Sequence, residues 1–329
     1  MKYARMFVCA VVMVCACSFS ASAEAKRMEL TDIHARTIVV DAISHDGKSL
    51  KAIRVSDKAE VLIPFTLLIP AVQERVKELL YAGETFTNGI GQKIIWVKSG
   101  SFWMGAKPID VEGLSFEERV KAENSNEASG RKVELSGYYL SATEVTQEQY
   151  FKVLGKHPSK FGPGANLPVE QVSWNDAVAF CKKLTEQEKA AGRLPEGFAY
   201  TLPTEAEWEY ACRAGTEGDY AGDLNKMAWF KDNSGGKTHP VGKKKPNAWG
   251  FYDMHGNVWE RCLDWYGSYE GLGTKDPTGN ATGSNRVIRG GGWSGGASGC
   301  RSAYRYRDAP GYRHSFQGFR VALSSRREP

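Results

Sequence analysis

Two textures of apolar and polar positions divide the chain. Between residues 27 and 81 the apolar runs are rich in β-branched residues: RTIVVDAISHD (36–46) and SLKAIRVSDKAEVLIPF (49–65), broken at Asp46-Gly47 and Ser56-Asp57. Runs of this kind between turn-forming pairs predict short paired strands. AVQERVKELL (71–80) then changes period, with Val72, Val76, Leu79 and Leu80 at helical spacing. Residues 82–92 read as a linker. From 93 to 325 the elements become brief, glycine is frequent, and the nine tryptophans appear.

Within this larger region three helices announce their own starts. Thr146, Ser173 and Thr204 are each followed three residues later by Gln149, Asp176 and Glu207. In that spacing the hydroxyl accepts from an orphan amide of the first turn while the later side chain reaches back to the cap. The helices that follow are expected to stop at Gly155, Gly192 and Gly215. Few helices, many brief strands and long irregular loops predict an α+β domain with little regular structure, preceded by a small β-rich module.

The start of the chain is expected to be removed. Lys2 and Arg5 precede an apolar stretch too short for a comfortable span, and Ala21-Ser22-Ala23 has the form of a cleavage site. Residues 1–23 therefore read as a signal peptide, and the mature protein as exported: periplasmic, secreted or envelope-associated. The alternative is a lipoprotein, since VCAC (14–17) resembles a lipoprotein box ending at Cys17. No later segment is apolar enough to span a membrane as a helix.

Charge excludes one class of partner. With 43 basic and 38 acidic residues the net charge is +5, and no Lys/Arg block forms a nucleic-acid footprint. The six histidines show no zinc-protease spacing, and neither a nucleophile elbow nor a P-loop is present. Beyond the signal segment the cysteines are Cys181, Cys212, Cys262 and Cys300, with no C-x-x-C pair. Asp253 and Glu260, seven apart around Gly256 in DMHGNVWE (253–260), place two carboxylates and intervening carbonyls within reach of one hard cation. The competing reading has Asp253 capping a turn and Glu260 meeting an arginine. Trp249, Trp259, Trp265 and Trp293, flanked by glycines or acidic residues, read as core anchors rather than a sugar platform.

A family resemblance rests on a series of stretches in order. They are WVKSGSFWMG (96–105), YYLSATEVTQEQY (138–150), PVEQVSWNDAVAFC (168–181), LPTEAEWEYACRAG (202–215), HPVGKKKPNAWGFYDMHGNVWERCLDWY (239–266), RVIRGGGW (286–293) and QGFRVAL (317–323). Together they resemble the formylglycine-generating-enzyme, or sulfatase-modifying-factor, family. The resemblance implies a variant of the C-type-lectin-like fold. It also implies calcium held by Asp253, the carbonyls of Gly256 and Val258, and Glu260; the family's other calcium site is not traceable in the short loop 224–240. Residues 27–81 resemble a small SH3-like module.

Active members of the family use two cysteines five apart, after a Gly-Gly-Ser stretch, to hold copper(I). Here Gly290-Gly291-Gly292 is followed by one cysteine, so a forward count places Gly295 and Cys300 at the two positions. A lone thiolate cannot give two-sulfur coordination, so a copper centre is not expected, and the protein reads as non-catalytic. The alternative is a formylglycine-generating or related oxidase using Cys300. The resemblance further implies a Cys212–Cys300 disulfide. Trp293, Tyr304, Tyr306, Asp308, Tyr312, His314 and Phe316 lie in a Tyr-, Arg-, Ser- and Gly-rich stretch whose composition suits adaptable binding of a protein, peptide or glycan at the cell envelope.

Overall fold

The computed structural model describes side chains for residues 85–106, 130–194 and 198–324, and the backbone of five strands before them. Those five strands form a unit separate from the rest. They are β1 (Ala10–Val11), β2 (Lys26–Asp32), β3 (Thr37–His45), β4 (Ser49–Arg54) and β5 (Glu60–Pro64). They pair antiparallel in sequence order, so the β-branched runs form the expected strands, and β1 falls inside the segment read as a signal peptide. Among the described residues no pairing joins the first strand to the last, and the helix expected at 71–80 lies outside them.

The larger unit begins at Thr85, not at 93. The expected linker is corrected here: β6 (Phe86–Thr87) pairs with β7 (Lys93–Val97), and the turn between them buries Asn88 and Gln92. Asn88 Oδ1 accepts from the Gln92 amide at 2.9 Å, satisfying a polar turn that would otherwise be costly to bury. A two-stranded ribbon follows, from β8 (Gly100–Met104) and β9 (Arg131–Leu135).

The main sheet is assembled from distant segments. Its order is β11 (Ala199–Thr201), β16 (Ala322–Ser324), β10 (Tyr138–Ser141), β7, β6. A second sheet runs β14 (Tyr306–Asp308), β13 (Arg286–Arg289), β12 (Trp259–Trp265), β15 (Gln317–Gly318), with β12 and β15 parallel. The helices are α1 (Gln147–Leu154), α2 (Trp174–Ala190), α3 (Glu205–Arg213) and the single turn α4 (Leu224–Met227). Capping boxes form at Thr146, Ser173 and Thr204 as the sequence predicts. Gly155 ends α1 in the left-handed region, whereas α3 places Ala214 there, one residue before Gly215.

The core between these layers is apolar but contains buried ion pairs. Trp208 is fully buried against Ala206, Met254, Cys262 and Val287. Arg261, Arg289 and Arg320 are equally buried. Arg289 pairs with Glu209, and Arg305 chelates Glu205 at 2.6 and 2.7 Å. The four tryptophans expected as core anchors are instead half-buried, and Trp208 takes that role. Along β12 the alternation of a strand turns Glu260 inward and Trp259 outward.

Candidate functional site

The loop ahead of β12 brings three carboxylates together. Asp253 and Asn257 adopt left-handed φ values of 58 and 60°, and Gly256 between them has φ 117°. Glu260, expected as a calcium ligand, is committed elsewhere: Arg320 donates to its two oxygens at 2.6 and 2.7 Å, and Trp208 Nε1 donates at 2.8 Å. The arginine reading of Glu260 is therefore the one the structure realises. Asp253 Oδ2 accepts from the Gly242 amide at 2.7 Å, while its Oδ1 is buried without a partner. Glu144, at the entry to α1, is fully buried and also leaves one oxygen unpartnered. Burial, then the neighbouring carboxylates, push Glu144 well above the usual carboxylate range, and burial pushes Asp253 up to about 6. Among the described residues no three His, Cys, Asp or Glu side chains converge as a metal cage. Asp253, Glu260 and the carbonyls of Gly256 and Val258 are all oxygen donors of the type a hard cation takes, and Glu260 also accepts from Arg320.

The cysteines do not form the expected bridge. Cys181, Cys212, Cys262 and Cys300 are all free and buried. Cys212 Sγ lies 3.7 Å from His255 Nε2 and 3.7 Å from Ser302 Oγ, whereas Cys300 Sγ faces the Gly296 carbonyl at 3.9 Å. His255 is neutral, since burial lowers its pKa to about 4; its Nδ1 bonds the Cys300 carbonyl at 2.8 Å and Nε2 accepts from Ala221 N at 3.1 Å. Burial raises both Cys212 and Cys300 to about 12, the reverse of what a nucleophile or a metal-binding thiolate needs. Gly291 is required beside Cys300, because a Cβ there would stand 2.6 Å from Sγ. The position a second copper ligand would take is Gly295, which has no side chain, so the residues present do not fit copper(I).

The segment after those glycines builds an aromatic surface. Trp259 N donates to the Phe316 carbonyl at 2.7 Å, which ties β12 to the terminal loop. The Trp259 ring lies beside Gly292 and Gly299, where a Cβ would come within 3.2 and 3.7 Å of it, and packs against Tyr304 at 6.0 Å and Tyr306 at 5.7 Å. Arg301 sits 5.5 Å over the Tyr304 ring. Tyr312, His314 and Phe316 form a second row, with centroids 6.2 and 3.8 Å apart. Tyr306 and Tyr312 are each 44% exposed; Tyr304, His314 and Phe316 are half-buried. Trp293 donates to the Ser315 carbonyl at 3.0 Å and meets Phe161 edge-on at 5.2 Å. Asp308 hydrogen-bonds Gln317 and so orders the loop. Sequence reasoning missed Trp259, Arg301 and Phe161; strand alternation at Trp259 was the available signal.

Glu170 supports this surface from below. Its carboxylate accepts from the Phe161 amide at 2.7 Å, and burial raises it to about 7. The folded pKa lies above the unfolded value of about 4.3, so the fold favours the neutral acid. That contribution is fully present below about pH 4 and is lost as pH rises through about 7. Glu170→Gln is expected to flatten this part of the profile, matching the wild-type melting temperature at about pH 4 and exceeding it at pH 8. A variant that falls below wild type at pH 8 contradicts the assignment.

A mixed fold of short strands, three capped helices and long glycine-pinned loops around buried arginine pairs defines a domain of the formylglycine-generating-enzyme type, a variant of the C-type-lectin-like fold. The chain belongs to this family: residues 83–325 match the sulfatase-modifying factor enzyme 1-like domain. It is 32% identical over 242 residues to the chaperone protein LppX of Paenibacillus barcinonensis, covering 59% of this chain and 81% of that one. It is 35% identical over 179 residues to the formylglycine-generating enzyme of Mus musculus, covering 48% of this chain and 44% of the enzyme, so it spans less than half of that relative. Among solved structures, Treponema denticola variable protein 1 superimposes with a TM-score of 0.62 at 32% identity, over 75% of this chain and 99% of that one. No described helix is long and apolar enough to cross a membrane.

Proposed function

We propose that this is an exported, non-catalytic member of the family, stabilised by calcium, which presents residues 293–316 to a protein, peptide or glycan at the cell envelope. The observation that carries the reading is a pairing of opposites on one segment. Its single thiol is buried, protonated and fixed in a small apolar cluster with Ala228 and Phe230, while Tyr306 and Tyr312 stand exposed. Aromatic rings held by their neighbours give contact area at little entropic cost, and Arg and Ser beside them add directional bonds. Relatives named as a chaperone and a variable protein accord with a binding role.

The alternative, an oxidase using Cys300, makes a different demand: copper(I) and turnover. Incubating the mature protein with copper(I), oxygen and a peptide of the form Cys-X-Pro-X-Arg is expected to leave the peptide cysteine unoxidised. On glycan and peptide arrays the wild type is expected to retain a ligand set that the double variant Tyr306→Ala, Tyr312→Ala loses, with the melting temperature unchanged. Catalytic conversion of the peptide, or array binding indifferent to both tyrosines, overturns the reading.

A further inference from the structure

A cavity of about 200 Å³ opens between β8, the end of α3 and the turn that carries Trp249, and no residue of 293–316 lines it. Three rings form its wall in a row. Phe102 and Tyr210 lie 5.0 Å apart, and Trp249 meets Tyr210 edge-on at 4.8 Å. The row is possible because residue 100 is glycine: a Cβ there would collide with the Tyr210 hydroxyl. All three rings are half-buried, packed against the core on one side and lining the cavity on the other.

The wall carries polar atoms that the fold leaves unused. Among the described residues neither the Tyr210 hydroxyl nor the Trp249 indole N–H has a hydrogen-bond partner, and neither is sealed from solvent. Burial raises the pKa of Tyr210, so the hydroxyl keeps its proton. Arg213 also lines the cavity, and its charge is met. Its Nε donates to Glu209 Oε1 at 2.8 Å, Nη1 to the Gly218 carbonyl at 3.1 Å and Nη2 to the Gly105 carbonyl at 3.2 Å. Each Nη keeps a second N–H. Glu209 Oε1 accepts in turn from the Gly105 amide at 2.9 Å, which ties the end of β8 to α3. The half-buried Thr216 and the exposed Glu217 complete this side.

These features select among occupants. An apolar side chain would match the rings but bury the indole N–H and the phenol hydroxyl unpaired, at a cost. An organic cation would suit the ring faces but meet Arg213. An anion would meet Glu217 and find Arg213 already paired with Glu209. We infer that the cavity takes one neutral sugar ring of a glycan. A pyranose offers a face of C–H groups whose partial positive charge lies well against the negative face of an aromatic ring. Around that face runs a rim of hydroxyls that both donate and accept. The rim suits the mixed set present: N–H donors on Trp249 and Arg213, an acceptor in Glu217, and hydroxyls on Tyr210 and Thr216. The site stands apart from residues 293–316, so the inference goes beyond the proposed function and does not rest on it.

Saturation-transfer difference NMR of the purified full chain, with the methyl glycosides of glucose, galactose, mannose and N-acetylglucosamine as probes, is expected to show at least one bound through its ring protons. Oxidative footprinting of the unsubstituted protein is expected to show that sugar shielding Trp249. Ser101→Trp fills the mouth from an exposed position on β8 and is expected to abolish the transfer. Trp249→Phe keeps a ring but removes the N–H, and is expected to weaken binding by about fivefold. Both variants are expected to keep the wild-type circular dichroism spectrum. The double variant Tyr306→Ala, Tyr312→Ala is expected to bind the glycoside as wild type does, so this site and the proposed surface fail separately. The inference is overturned if none of these glycosides binds, if binding survives in a folded Ser101→Trp, or if the double tyrosine variant abolishes it. A preference of about tenfold or more for methyl glucuronide over methyl glucoside also overturns it, since the site then selects an anion. Should Ser101→Trp fail to fold, the footprint decides: a bound sugar that leaves Trp249 as reactive as before contradicts the assignment.

Discussion

Replacing Arg320 by methionine is expected to destabilise the large domain by about 3–5 kcal/mol, the range for removing one partner of a buried ion pair. Arg320 lies at the foot of the last strand with no accessible surface, and its guanidinium joins Glu260 to the carbonyls of Ser141 and Tyr252. Methionine fills much of the volume but leaves the buried Glu260 carboxyl with only Trp208 Nε1 to bond it. It also removes the one guanidinium that acts on all three carboxylates. Urea denaturation followed by tryptophan fluorescence measures the loss. The double variant Arg320→Met, Glu260→Leu is expected to recover a large share of it, since an apolar pair of similar size replaces a buried ion pair at small net cost. A single variant within about 1 kcal/mol of wild type would show that Glu260 finds water or another donor, and that this ion pair is not what holds the two sheets at this point.

Gly256→Ala is expected to be nearly as damaging through the backbone alone. Its φ of 117° lies where residues with a side chain are strained, and a Cβ there would stand 2.4 Å from the Trp229 carbonyl oxygen and 3.0 Å from the Trp229 amide nitrogen. Neither atom is a flexible side-chain end. The strained conformation costs about 1–3 kcal/mol, and forcing the two backbones apart costs a similar amount. The Trp229 carbonyl also accepts from the Asn257 amide at 2.7 Å, so a shift there disturbs the loop that carries Asp253. Gly250→Ala is a useful control. It has a comparable positive φ of 89°, but its Cβ meets only Ile95 Cδ1 at 3.4 Å. The first variant is expected to lose clearly more stability than the second, and equal losses would place the whole effect in φ.

What the sequence made legible was local. The hydroxyl and the acid or amide of each capping box are three residues apart, so Thr146, Ser173 and Thr204 could be read directly, and all three caps form. The glycine-rich stretch 290–292 and the family strings likewise pointed to the fold. What escaped was long-range. Glu260 meets Arg320 sixty residues on, and Glu144 reaches Asn257 over 113 residues, so spacing within DMHGNVWE could show neither partner. Cys212 and Cys300 occupy neighbouring regions of the chain's interior, yet His255 and Ser302 are the side chains Cys212 Sγ contacts. Trp259 was misread because its glycine neighbours suggested a buried ring; those glycines instead let the ring lie along the loop at the surface.

The placement of β16 has a bearing on how the chain acquires its structure. This strand lies between β11 and β10 in the main sheet, so residues 138–141 and 199–201 are joined only through residues 322–324. Arg320, two residues earlier, neutralises Glu260 at the same moment. A polypeptide emerging from the ribosome amino end first therefore has neither the middle of this sheet nor the counter-ion of Glu260 until residues 320–324 appear. Closure of the sheet therefore waits for residues 322–324, and a chain cut before Ala322 is expected to lose the middle of this sheet rather than its edge.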